Sequence, residues 1–164
     1  MDKSNEITNK AVNIATITTW QSGIAQSHAF RITKKLTDDF LKSYNLSTMH
    51  WFIVGAIFDT GAEGIRITDL AAQLGTTVGY LTTAINSLEL KGMVTRDEHE
   101  SDSRTKILKI HPDFYETCID IEEGLRDKFR TALYQNLTRD ELQTYISVLY
   151  KLTKINPEAS LSED

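Results

Sequence analysis

Between Ile67 and Ile110 the spacing of apolar residues switches from helical to alternating, with glycines at the joints. "ITDLAAQLG" places Ile67, Leu70, Ala71 and Leu74 on one face of a short helix that Gly75 ends. "TTVGYLTTAINSLELKG" follows at once. It has Val78, Leu81, Ala84, Ile85 and Leu88 as its buried stripe, and Thr76 or Thr77 as its cap. After Gly92 the chain reads as two short strands, "MVTR" and "TKILKI". From the end of the first to the start of the second stand seven charged residues: Arg96, Asp97, Glu98, Glu100, Asp102, Arg104 and Lys106. Two short helices joined by a tight turn, then a ribbon with a charged tip, describe a helix-turn-helix with a wing.

The flanks read as long helices. Apolar residues recur at helical spacing from about Ile14 to Phe40, as Ile14, Ile17, Ile24 on one stripe and Ala25, Ala29, Ile32, Leu36, Phe40 on another. "NLSTMHWFIVGAIFDTG" offers Ser47 as an N-cap and Gly61 as a stop around a strongly apolar helix. Pro112 opens another helix running to about Asn136. "LTRDELQTYISVLYKLTKI" then carries the capping box Thr138-x-x-Glu141 and the stripe Leu142, Ile146, Leu149, Leu152. The tail after Pro157 is expected to fray. With 164 residues and two prolines, the chain has the length of one ordinary domain built on uninterrupted helices.

A net charge of −5 argues against a nucleic-acid partner, but it is unevenly spread. Residues 65–110 hold six Lys/Arg and six Asp/Glu, so that segment is neutral and the excess acid lies outside it. A lone Cys118 forms no intramolecular disulfide. No signal peptide or membrane-length apolar run is read, so a cytoplasmic address without membrane contact is expected.

Residues 46–110 resemble the multiple-antibiotic-resistance regulator (MarR) family of winged-helix transcription factors. "LSTMHWFIV", "ITDLAAQLGTTVGYLTTAINSLELKGMVTR" and "DSRTKILKI" carry the resemblance. The family's Leu-Glu-x-x-Gly-hydrophobic-Val-x-Arg is matched by Leu88, Glu89, Gly92, Met93, Val94 and Arg96. Its wing Asp-x-Arg is matched by Asp102 and Arg104. The resemblance implies a mainly α fold with a small β-ribbon: a winged helix-turn-helix over 46–110, within one domain spanning 1–164. Flanking helices at 8–42 and 112–155 would form a homodimer interface from both chain ends. The implied function is that of a sequence-specific DNA-binding transcriptional regulator, a repressor released by a small ligand, and not an enzyme. Operator half-sites would lie about one helical turn apart, mirroring the dimer's twofold axis.

The second helix of such a unit enters the major groove while the wing reaches backbone or minor groove. Groove-facing candidates are Thr76, Thr77, Gly79, Tyr80, Thr82, Thr83, Asn86 and Ser87. Residues 76–90 hold no Lys or Arg, a departure from the family. Thr and Asn can read base edges but neutralise no phosphate, so attraction must come from the wing through Arg96, Arg104 and Lys106, with Asp102 orienting Arg104. That uncharged helix and the acidity also fit an alternative, a winged-helix protein-interaction module with little or no DNA binding.

Other residues have two readings. Trp20, His28, Tyr44, Trp51 and Tyr115 either line a crevice for an aromatic or apolar effector, which the resemblance implies, or are core and interface aromatics. Cys118 beside Ile119 and Ile121 reads as a buried structural thiol rather than a redox switch. His28, His50, His99 and His111 are too scattered for a metal site, and neither metal nor cofactor is expected.

Overall fold

Thr18 starts the first helix, α1 (Thr19–Leu41). Its hydroxyl accepts from the Gln21 backbone N–H, and the Gln21 side chain accepts from the Thr18 N–H. This box satisfies two orphan donors, and the helix begins here rather than near Ile14. The structure, a computed structural model, describes residues 15–99 and 102–154, with the backbone alone at 98–99 and 102–105. The tail after Pro157 and the segment 8–14 lie outside the described residues. Two compact units meet in sequence between Phe52 and Ile53.

In the first unit α1 leaves most of its large apolar residues exposed, among them Trp20, Ile24, Phe30 and Ile32. Thr37 and Leu41 are its buried positions. One turn of 3₁₀ helix, Lys42–Tyr44, ends on Asn45 in the left-handed region at φ 55°, where asparagine is among the few tolerated side chains. Helix α2 (Thr48–Phe58) follows. As expected, Ser47 caps it, its Oγ accepting from the His50 N–H at 3.2 Å. Asp38 ties α1 to this start, accepting from the Thr48 N–H at 3.0 Å and the Thr48 hydroxyl at 2.6 Å. Hydrogen bonds from Lys34 and Thr48 hold the Asp38 carboxyl down at about 2.

The second unit is built around a three-stranded antiparallel sheet in the order β1–β3–β2, with β1 at Ile65–Arg66, β2 at Val94–His99 and β3 at Asp102–Ile110. Between β1 and β2 lie α3 (Ile67–Leu74) and α4 (Val78–Leu90). β2 and β3 form the expected ribbon, pairing Val94 with Ile110 and Arg96 with Leu108, with an irregularity at Glu98/His99. Strand β1 was not foreseen. Its two residues pair Ile65 with Leu108 and Arg66 with Ile107, contacts far away in sequence.

The buried side chains here include Ile53, Val54 and Ile57 of α2, Leu70 and Ala71 of α3, and Val94, Ile107 and Leu108 of the sheet. Pro112 opens a single 3₁₀ turn, Pro112–Phe114, and the helix proper, α5, runs Tyr115–Ala132. Phe114, Cys118, Ile121 and Leu125 are buried at helical spacing along it. Helix α6 (Arg139–Leu152) begins on the expected Thr138–Glu141 capping box, yet none of its residues is buried. Tyr145, Ile146, Val148, Leu149 and Leu152 are all exposed. Among the described residues no helix is long and apolar enough to cross a membrane.

Gly64 makes the approach of β1 to β3 possible. At φ 69°, a Cβ there would lie 2.5 Å from both Ile107 Cγ2 and the Leu108 carbonyl oxygen. Gly61, at φ 57°, has open space instead. Gly61→Ala is therefore expected to cost only the left-handed penalty, about 1 kcal/mol. Gly64→Ala should lose about 1–3 kcal/mol beyond that from the clash. Chemical denaturation of both variants checks this, and equal losses would mean that β1 does not need the close approach.

Candidate nucleic-acid interface

Helix α4 is placed by the turn before it and by the face it buries. Gly75 closes α3 in the left-handed conformation at φ 60°, and the Thr76 N–H then donates to the Ala71 carbonyl at 3.0 Å. Thr77 is the cap, its Oγ1 accepting from the Tyr80 N–H at 3.3 Å. Leu81, Ala84, Ile85 and Leu88 are buried, so the rotation of the helix about its axis is set; Val78, expected in the same stripe, is instead exposed in the first turn, where it borders open space.

The opposite face is left uncovered. Of the eight recognition candidates, Thr77, Gly79, Tyr80, Thr83 and Asn86 are exposed, while Thr76, Thr82 and Ser87 are half-buried. Two threonine hydroxyls already have local roles. Thr77 caps the helix, and Thr82 donates to the Val78 carbonyl at 2.8 Å, which turns its hydroxyl toward its own backbone. At Gly79 an added Cβ would meet nothing within 4 Å, so the fold itself does not demand glycine there.

Beside the first turns of α4 lies a cleft of about 470 Å³, lined in part by Arg66, Thr68, Val78, Thr82, Arg96 and Lys106. Three cationic residues thus border the helix that carries none. Arg66 went unnoticed in the sequence; it reaches the cleft only because β1 pairs with β3 directly before α3 begins. Arg96 donates to Asn86 Oδ1 at 2.5 Å and lies 3.1 Å from Glu89 Oε2. Exposure of about a third on both charged side chains keeps that ion pair to roughly 1 kcal/mol. Across the ribbon Lys109 Nζ meets Asp97 at 3.3 Å. Lys106 is exposed, on β3 opposite Glu98. Asp102 and Arg104 occupy the first half of β3, where the backbone alone is described.

A helix-turn-helix followed by a paired ribbon is a winged helix, and residues 50–106 match the model of the MarR family. The chain carries a MarR-family winged-helix domain. Solved structures extend the likeness beyond that segment. A mutant of Escherichia coli MarR complexed with operator DNA is 23% identical with a TM-score of 0.69, over 79% of this chain and 91% of that one. The MepR–DNA complex of Staphylococcus aureus is 18% identical at 0.68, over 84% and 97%. CouR from Rhodococcus jostii bound to p-coumaroyl-CoA is 16% identical at 0.73, over 82% and 93%. At these identities the likeness is one of fold. Among these relatives the MarR mutant and MepR were solved with DNA. In MarR terms α4 is the recognition helix and the β2–β3 ribbon the wing. The motif that carried the resemblance gains a physical meaning, since its Glu89 and Arg96 are the ion pair joining the two.

The candidate effector residues are distributed over both units. Trp20 and His28 are exposed on α1, Tyr44 is half-buried in the 3₁₀ turn, and Trp51 is half-buried in α2. Tyr115 opens α5 with its ring 4.8 Å from that of Phe58. Among the described residues no cluster of His, Cys, Asp and Glu is arranged to hold a metal ion.

Cys118 is buried on α5, and burial pushes its thiol up to about 12. At pH 8 such a thiol is about one part in ten thousand thiolate, the reactive form. A disulfide reagent at pH 8 is expected to leave the native chain unmodified and to titrate one thiol per chain once it is unfolded. Rapid reaction in the native state would show that the thiol is accessible and restore a redox role.

Proposed function

We propose that this chain is a homodimeric, sequence-specific DNA-binding transcriptional regulator, a repressor released by a small ligand. The observation that carries this reading is the uncovered face of α4, polar and rotationally fixed, beside a ribbon and a cleft bordered by Arg66, Arg96 and Lys106. Thr77, Tyr80, Thr83 and Asn86 would meet base edges, with Thr76, Thr82 and Ser87 at the margin. The open space at Gly79 suits close approach of a groove wall. Arg104 at the wing would enter the minor groove, oriented by Asp102, with Lys106 nearer the backbone. That MarR and MepR have been solved with DNA supports the choice of partner.

Dimerisation is supported by the apolar residues that α1 and α6 each leave exposed, which a second copy of the chain would cover. Release by a ligand is supported by CouR, which binds p-coumaroyl-CoA. An aromatic or apolar effector suits Trp20, His28, Tyr44, Trp51 and Tyr115.

Thr83→Ala should relax base preference while leaving the salt dependence of binding nearly unchanged. Arg104→Ala should weaken binding by about 1–3 kcal/mol on every sequence and lower the salt slope by about one per subunit. Titration of cognate and scrambled duplexes across a salt series checks both. If Thr83→Ala lowers affinity equally for all sequences and Arg104→Ala changes nothing, the protein-interaction module becomes the better reading of the acidic chain and its uncharged helix.

A further inference from the structure

Arg96 ties the wing to the outward face of the recognition helix. One of its terminal nitrogens meets both Asn86 Oδ1, at 2.5 Å, and Glu89 Oε2, at 3.1 Å. Asn86 and Glu89 stand three residues apart on α4 and so share a face. A guanidinium has donors only. The amide atom that faces it is therefore the oxygen, and the NH2 group of Asn86 is turned away from Arg96. Asn86 is exposed, as is Thr83 one turn earlier, so that NH2 group belongs to the face the core leaves uncovered.

The chemistry of base recognition then narrows. An asparagine reads adenine with both halves of its amide, accepting from the N6 amino group while donating to N7. With the oxygen held toward Arg96, the half turned outward is a donor. Its complement is an acceptor edge: N7 of either purine, O6 of guanine or O4 of thymine. Cytosine presents the N4 amino group, itself a donor, and is mismatched.

We propose that Asn86 is a specificity-determining residue and that Arg96, anchored by Glu89, is its positioning residue. Together they make the recognition helix select an acceptor edge, and so reject cytosine, at one position of each half-site. The inference rests on the DNA-binding reading above. It also gives Arg96 a task other than neutralising phosphate.

The test uses the full chain and duplexes in which one base pair at a time is varied around a selected site. Wild type is compared with Asn86→Ala, Asn86→Asp and Arg96→Lys, with thermal unfolding to verify that each variant folds. The wild-type chain is expected to favour guanine or thymine over cytosine by about tenfold at one position per half-site. Asn86→Ala should level that position alone. Asn86→Asp keeps a partner for Arg96 but offers only acceptors, so preference there should move to cytosine. Arg96→Lys retains the charge but not the planar fork, so the freed amide can turn its oxygen outward and should admit cytosine at the same position with the salt slope unchanged. A merely structural clamp would instead lower stability or weaken every duplex equally. Sequence-selective binding whose profile ignores Asn86→Ala, or a wild-type choice of cytosine there, overturns the inference alone. Equal affinity of the wild-type chain for all duplexes overturns it together with the DNA-binding reading.

Discussion

The burial of Leu81, Ala84, Ile85 and Leu88 is the constraint on which the rest of the interface depends. Three of these side chains, Leu81, Ile85 and Leu88, have no exposed surface, and each contributes roughly 1.5–3 kcal/mol on leaving water. Rotating α4 by even one residue would expose part of that stripe. The helix therefore has one phase, and Tyr80, Thr83 and Asn86 face outward as its consequence. The turn at Gly75 and the Thr77 cap set where the helix starts, and Val94, Ile107 and Leu108 bring the ribbon onto the same core. Recognition surface and hydrophobic core are thus two faces of one helix.

Charge is arranged around that helix rather than on it. Residues 65–110 are neutral in a chain of net charge −5, and α4 itself carries only Glu89. Glu89 is paired with Arg96 on β2, leaving no uncompensated acid on the outward face. Long-range attraction to a polyanion must come from cations on the flanking elements, such as Arg66 and Lys106 beside the cleft. On the proposed function, an uncharged recognition helix would contribute mainly discrimination among sequences. That division of labour would make binding strength more sensitive to salt and wing than to the helix.

Local signals made much of the fold legible from the residues. Ser47, Thr77 and Thr138 cap the helices they precede, Gly75 ends α3, and the expected stripe on α4 is buried from Leu81 to Leu88, though not at Val78. What was missed depends on partners distant in the chain. Ile65–Arg66 is too short to carry an alternating pattern and is a strand only because Ile107 and Leu108 pair with it. Arg96 read as a phosphate contact because its partners Asn86 and Glu89 lie on another element, and a helix-to-strand contact leaves no local trace. The true start of α1 was visible in principle, since Thr18-x-x-Gln21 is a capping-box pattern, but apolar spacing upstream outweighed it. At Pro112 the helix was expected one 3₁₀ turn too early, because proline suits the first turn of either helix type.

DNA recognition through the outward face of α4 is tested most directly by selecting binding sites for the full chain from random duplex DNA. Two recognition helices related by a twofold axis predict enrichment of a pseudo-palindrome with half-sites about 10–10.5 base pairs apart. Repeated rounds that enrich no sequence would contradict sequence reading by α4, and the winged helix would then have to serve a protein partner instead.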